Sequence, residues 1–312
     1  MTLAYFSHPA CGEHDMGANH PEQPARLAAI EKQLCDSGLM DALLKLNPHP
    51  VADALVDAAH SRAYREQLEE LSPASGRLAL DPDTHMNPHS LAAARLAAGA
   101  AVRAVDVVMS GDARQAFCAV RPPGHHAERE RAMGFCIFNN IAIAALHALN
   151  AYSLKRVAIV DFDVHHGNGT QDIVAGDQRI LFCSSYQHPL YPNSGNECTA
   201  ANVVNCPLPA GTGSAAFQHA ISTQWLPRID AFRPELLLVS AGFDAHIADP
   251  LADLALVDSD YAWLGDTLSQ AAARWAKGRM ISTLEGGYDL KALASSVEAY
   301  LRACLQAASA PN

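Results

Sequence analysis

The apolar positions of this chain fall into short unbroken runs, separated by longer stretches in which they recur every three or four residues. The runs cover residues 3–6, 116–120, 157–160, 180–184, 236–240 and 280–284. Each is nearly continuous in small, branched or aromatic apolar residues, the pattern of strands covered on both faces. Helical patterns lie between them. Pro24 can open a helix that sets Leu27, Ile30 and Leu34 on one face. An Ala-rich stretch over 90–109 ends near Gly111, and a further stretch over 141–149 follows Asn140. Residues 261–276 start near Asp258 or Ser259, either of which can cap a helix, and stop before Gly278; residues 290–305 close the series. This alternation predicts a single domain over 1–312 with a parallel α/β sheet and helices on both faces. Sites in such sheets gather just beyond the carboxyl ends of strands.

Polar clusters sit at those ends. The run at 157–160 leads into Asp161, Asp163, His165 and His166, then turns at Gly167 and Gly169. If the strand stays extended, Asp161, Asp163 and His165 share a direction, and two carboxylates with an imidazole suit a divalent metal. The alternative is a pair of histidines hydrogen-bonded at a strand end. Three other segments favour the metal. "RPPGHHA" (121–127) sets His125 and His126 side by side after a strand, as surface residues, as metal ligands, or as neutral imidazoles that move protons near pH 7. "SAGFDAH" (240–246) ends a strand near Asp244, a turn residue or a third ligand that leaves an open position for water. "EGGYDL" (285–290) puts Tyr288 on a Gly-Gly loop, either packed against a neighbour or placed so that its phenol reaches an oxyanion.

Composition changes this picture little. Of 312 residues, 49% are apolar, ample for a large core, and the net charge of −11 argues against a nucleic-acid partner. An acidic surface attracts cationic substrates such as lysine-rich tails or polyamines. No basic leader or run of ~18 apolar residues is present, so neither secretion nor membrane insertion is expected. The cysteines at 11, 35, 118, 136, 183, 198, 206 and 304 form no C-x-x-C pair. They read as reduced thiols of a cytoplasmic protein.

In order, "HDMGANHPEQPARLAAI" (14–30), "RPPGHHA", "GFCIFNN", "DFDVHHGNGTQ", the Asp244 segment with its "ADPL", and "EGGYDL" resemble the zinc-dependent histone deacetylase family, which includes bacterial deacetylase-like and acetylpolyamine amidohydrolase members. The resemblance spans nearly the whole chain. It implies the arginase-deacetylase fold, with a central eight-stranded parallel sheet flanked by helices. By motif position, Asp163, His165 and Asp244 resemble the zinc ligands. His126 matches the general base and acid, and His125 its electrostatic companion. Asp161 resembles the partner of His125, and Asn168 that of His126. Class I members carry Asp where this chain has Asn168, and class II-like members carry Asn. Tyr288 matches the oxyanion-stabilising tyrosine. A structural potassium ion is implied at Asp161, the carbonyls of Asp163 and His165, the Ser184 hydroxyl and the Ser185 carbonyl. Gly134, Phe135 and Tyr191 match the acyl-lysine tunnel, and Leu251 occupies the gatekeeper position. Arg26 matches an arginine near an inner acetate channel, or is a helix-start arginine. "YPNSG" (191–195) departs from the family's usual turn, although Asn193 tolerates a left-handed backbone.

The resemblance implies zinc-dependent removal of acetyl or other short acyl groups from lysine side chains of proteins or peptides. The apolar Leu251 and the short stretch from His14 to Pro24 favour that over an acetylpolyamine or other small acyl-amine substrate. A silent acyl-lysine binding protein is the third reading, and an arginase-type dinuclear manganese site a weaker one.

Overall fold

A computed structural model describes residues 2–197 and 200–309, so Cys198 lies outside the described residues. In chain order the elements begin with β1 (Leu3–Phe6), α1 (Ala25–Asp36), β2 (Leu43–Leu46), α2 (Asp53–Ala59), α3 (Arg62–Leu71), β3 (Leu78–Ala79) and β4 (His85–Met86). There follow α4 (Ser90–Ser110), β5 (Gln115–Cys118), α5 (Asn140–Ala151), β6 (Val157–Asp161), α6 (Asn168–Val174), β7 (Ile180–Gln187) and β8 (Val203–Leu208). The remainder are α7 (Ser214–Ala220), α8 (Leu226–Phe232), β9 (Leu236–Ala241), α9 (Asp258–Trp275), β10 (Met280–Leu284) and α10 (Leu290–Ser309). Eight strands form one parallel sheet in the order β2-β1-β5-β10-β9-β6-β7-β8. The short β3–β4 pair stands apart and is antiparallel.

The apolar runs become the interior of this sheet. Every residue of β1, β5, β6, β7, β9 and β10 is buried. α4 and α5 pack together over one part of the sheet, while α1, α9 and α10 pack together elsewhere on it. β2 and β8 were not among the predicted runs, because edge strands are half-covered and their apolar pattern breaks: β2 exposes Leu44 and Lys45, and β8 carries Asn205 and Pro207. Two helix starts also differ from expectation. α5 begins at Asn140, one residue before the stretch read from the sequence, and Asn139 caps it, its side chain accepting from the Ala142 N–H at 3.0 Å. α9 begins at Asp258 itself, and Asp260 accepts the Val257 N–H at 3.0 Å. Gly111 ends α4 in a left-handed conformation.

The sheet order matters most for the site. β5, β10, β9 and β6 are consecutive neighbours, and all run the same way. Their register sets Cys118 beside Thr283, Thr283 beside Ser240, and Ser240 beside Asp161. The four polar clusters therefore emerge side by side from one edge of the sheet.

Candidate active site and metal centre

β6 ends at Asp161, so the extended alignment of Asp161, Asp163 and His165 does not hold. Asp161 turns to the tandem histidines instead, and its place in the triplet passes to Asp244 from the loop after β9. Donor atoms of Asp163, His165 and Asp244 lie within 4.8 Å of one another, and all three residues are buried. Nδ1 of His165 stands 3.1 Å from both Asp163 Oδ1 and Asp244 Oδ2. Outer oxygens and backbone donors hold the carboxylates in place. Gly286 N–H donates to Asp163 Oδ2 at 2.7 Å, His165 N–H to Asp163 Oδ1 at 2.9 Å, and Val164 N–H to Asp244 Oδ1 at 2.9 Å. Two buried carboxylates facing one imidazole need positive charge between them. Burial pulls the His165 imidazole down, but hydrogen bonds to Asp163 and Asp244 outweigh it and push it up to about 10. Burial and the Asp163 charge push Asp244 up to about 7. Hard oxygen and imidazole donors around an electron-rich point fit a divalent cation such as zinc. Room for this packing comes from glycine: a Cβ at Gly286 would meet Asp244 Oδ2 at 2.0 Å, and one at Gly242 would meet Asp163 Oδ2 at 2.1 Å.

His125 and His126 lie beside this trio on the loop after β5, with ring centroids 4.0 Å apart. Their partners differ in charge. His125 Nδ1 is 3.0 Å from Asp161 Oδ2, and His126 Nδ1 is 2.7 Å from Asn168 Oδ1. The Asn168 amide is itself oriented by donating to Glu128 Oε1 at 2.7 Å. Burial depresses both imidazoles. For His125 the Asp163 and Asp161 carboxylates overcome it and hold the ring well above the usual range. For His126, burial and the charges of His125 and His165 leave the ring well below it. His126 is thus the neutral acceptor of the pair and His125 the charged companion.

Tyr288 closes the far side. Its ring lies 5.8 Å from that of Phe135, and the Arg26 guanidinium lies 5.0 Å from its centre. Burial and the Asp244 charge hold the phenol well above its usual value, so it stays a donor. The Gly-Gly loop is pinned rather than free: Asp249 Oδ2 accepts the Tyr288 N–H at 2.7 Å, and Arg26 Nε donates to the Gly287 carbonyl at 2.7 Å. Arg26 stands in the first turn of α1 and is fully buried, its guanidinium tied to the Glu285 and Gly287 carbonyls. A cavity of about 240 Å³ opens over these groups, walled by His126, His165, Tyr288, Gly134, Phe135, Tyr191 and Leu251. Phe135 holds a left-handed backbone (φ 68°), and Gly134 beside it presses against His126, where a Cβ would meet the ring at 2.4 Å. A larger groove of about 540 Å³ beside α4, near Arg103 and Tyr152, contains none of these groups.

The structure brings together ligand trio, imidazole pair, phenol and tunnel residues. Ser184 and Ser185 lie one strand further along on β7, buried, and neither hydroxyl has a hydrogen-bond partner among the described residues. Asn193 takes φ 60°, the left-handed turn expected of it. Seven cysteines among the described residues are free, and all but Cys35 are buried. Several groups were not singled out from the sequence. Asp83 and Leu190 also wall the cavity. Asp249 holds the Tyr288 loop. Glu285, fully buried, accepts the Gly124 N–H at 2.6 Å and the His125 N–H at 3.1 Å. A charged residue ending a buried strand was the available signal for Glu285.

The geometry first defines a class: a metallohydrolase in which a neutral imidazole and a phenol flank a buried cation site, at the carboxyl edge of a parallel sheet. Comparison with known proteins narrows it. A family model described as the histone deacetylase domain matches residues 20–304. The chain is 37% identical over 299 residues to a probable deacetylase of Archaeoglobus fulgidus, covering 93% of this chain and 82% of that protein. It is 36% identical over 294 residues to a histone deacetylase-like amidohydrolase of Pseudomonas aeruginosa, covering 92% and 75%. The crystal structure of the HDA15 HD domain superposes with a TM-score of 0.92 at 32% identity, over 100% of this chain and 90% of that one. The chain belongs to the histone deacetylase family, and it is a deacetylase or amidohydrolase with a buried Asp–His–Asp metal site. Among the described residues no helix is long and apolar enough to cross a membrane.

Proposed function

We propose that the chain is one catalytic domain that removes acetyl or other short acyl groups from lysine side chains, with zinc held by Asp163, His165 and Asp244. The observation that carries this is that His165, His126 and Tyr288 wall one cavity while Asp163 and Asp244 bring donor atoms within 4.8 Å of that of His165. A divalent cation bound there supplies Lewis acidity to the acyl carbonyl and to the attacking water. His126 is neutral and takes the water proton as the carbon–oxygen bond forms. The Tyr288 phenol donates to the oxyanion of the tetrahedral intermediate. His126 then returns its proton to the departing amine, and acetate and the free amine leave. His125, tied to Asp161, stays charged and favours the oxyanion electrostatically. The aromatic and aliphatic walls at Phe135, Leu190, Tyr191 and Leu251 suit the methylenes of a lysine side chain. Asp161 and the Ser184 hydroxyl, which has no hydrogen-bond partner among the described residues, support a structural potassium ion next to the zinc site, with the carbonyls of Asp163, His165 and Ser185 as its further donors. The free buried thiols are in keeping with a reducing compartment, the cytoplasm.

One observation favours a second reading. Asp83 contributes a carboxylate to the cavity wall. It offers a partner for a second ammonium group, as in an acetylated diamine or polyamine. The test is acetate release by metal-depleted and zinc-reconstituted protein on an acetyl-lysine peptide and on acetylputrescine, with Asp83→Asn alongside. The lysine reading expects the peptide to be turned over at least ~10-fold better in kcat/KM and to be little affected by the substitution. Faster turnover of acetylputrescine, lost in Asp83→Asn, would reverse that order. No metal-dependent acetate from either substrate refutes both.

A further inference from the structure

Glu285 is a carboxylate with no accessible surface, and none of the ion pairs formed among the described residues includes it. Burying such a group costs several kcal/mol unless donors surround it. Its donors here all come from the frame around the site. Oε2 accepts the N–H groups of two successive residues, Gly124 at 2.6 Å and His125 at 3.1 Å, while Oε1 faces the Ser240 hydroxyl at 3.2 Å. The backbone of the same residue is also fixed. Its N–H donates to the Ala241 carbonyl at 2.9 Å, and its carbonyl accepts from Arg26. The next residue, Gly286, donates to the metal-site carboxylate of Asp163, and Tyr288 follows two positions later.

We propose that Glu285 is a positioning residue that sets the direction of the tandem imidazoles relative to the metal site and Tyr288. The proposal rests on the hydrolytic reading of that site. One oxygen that captures two consecutive amides fixes the orientation of the Gly124–His125 peptide. The Cα–Cβ directions of His125 and His126 follow from that peptide. No other side chain spans β10, the end of β9 and the loop after β5 in this way among the described residues. The contribution is geometric, through an acceptor at a set reach, and does not depend on the group's charge.

Two substitutions separate reach from charge. Glu285→Gln keeps a carbonyl oxygen that can accept both amides, and its NH₂ can donate to the Ser240 hydroxyl. Glu285→Asp keeps the charge but withdraws the acceptor by one methylene. Kinetics of acetate release from an acetyl-lysine peptide, with zinc content per chain measured for each variant, are the readouts. We expect Glu285→Gln to keep at least about a third of wild-type kcat. We expect Glu285→Asp to lose about 100-fold in kcat, the scale of a 1 Å misplacement, with KM within about threefold and zinc retained. The reverse order, or two variants with wild-type kcat, overturns the proposal. A Glu285→Gln that holds zinc yet is as slow as Glu285→Asp also overturns it, because charge would then be the operative property. A wild-type protein that releases no acetate from any acylated amine overturns the hydrolytic reading itself, and the proposal with it.

Discussion

Replacing Tyr288 by Phe deletes one oxygen and nothing else that the fold uses. The ring keeps its contacts with Phe135 at 5.8 Å and with the Arg26 guanidinium at 5.0 Å. The backbone stays tied to Asp249, which accepts its N–H at 2.7 Å. Among the described residues no hydrogen bond reaches the Tyr288 hydroxyl, so the native state loses no partner with it. Folding stability should therefore change by less than about 0.5 kcal/mol. The transition state is different. A donor aimed at a developing oxyanion in a closed site is worth about 2.7–4 kcal/mol, or about 10²–10³ in kcat. The loss belongs to kcat, with KM within about threefold, because the hydroxyl acts on charge absent from the ground state. Burial and the Asp244 charge keep the phenol protonated, so the variant should share the wild-type pH profile and only lie lower. The assay is steady-state acetate release at several pH values, with thermal unfolding and zinc content as controls. A loss under threefold in kcat, or a loss carried by KM, would refute the oxyanion role. A large drop in melting temperature would show instead that the hydroxyl serves the fold.

Gly286→Ala should weaken metal binding at least about 100-fold in a chelator-competition titration, because its Cβ would stand 2.0 Å from Asp244 Oδ2 and 2.6 Å from Asp163 Oδ2. Affinity within threefold of wild type would mean that the loop can retreat without disturbing the ligands. His60, which is outside the metal trio, gives a pH test. It is buried, lies 2.9 Å through Nδ1 from the Glu128 carbonyl, and accepts the Asn139 N–H at 2.9 Å. Burial lowers it from 6.5 to about 4, so the unfolded chain binds the proton more readily and stability falls as pH drops from 6.5 to 4, by about 3 kcal/mol at most. The stability gap between wild type and His60→Gln in urea unfolding should thus narrow from pH 7 to pH 4.5, and a constant gap would count against this origin.

The central strands were legible because burial on both faces removes polar interruptions. β10 carries MISTL and then breaks at Glu285, and its predicted range, 280–284, is the observed one. β7 was read only to 184, because Ser185, Tyr186 and Gln187 look like loop residues, yet all are buried as strand. The types of the reacting groups were equally legible, since tandem histidines and a histidine next to aspartates carry chemistry in the letters themselves. Directions were not. Asp161 and Asp163 are two residues apart, but the strand ends between them, so one serves His125 and the other the metal site. Asp83 reaches the cavity from the β3–β4 pair, and no local spacing relates it to His126 or Tyr288.

Neighbouring strands stand about 4.8 Å apart, so side chains on the ends of β5, β10, β9 and β6 are spread over roughly 14 Å. Strand ends alone cannot bring an imidazole, a phenol and three ligands to one cation. The loops must lean inward, and in doing so they bury backbone amides beside carboxylates. Gly286 N–H meets Asp163, the Gly124 and His125 N–H groups meet Glu285, and Tyr288 N–H meets Asp249. Each pairing satisfies a buried donor and a buried acid at once, which limits the cost of carrying acids in the core. It also explains the glycines. At Gly242 and Gly286 the backbone passes so near Asp163 and Asp244 that a Cβ would stand 2.1 Å and 2.0 Å from a carboxylate oxygen. The same contacts that offset burial therefore fix the reacting groups, and a substitution that loosens one amide–carboxylate pair should be felt in kcat before it is felt in folding.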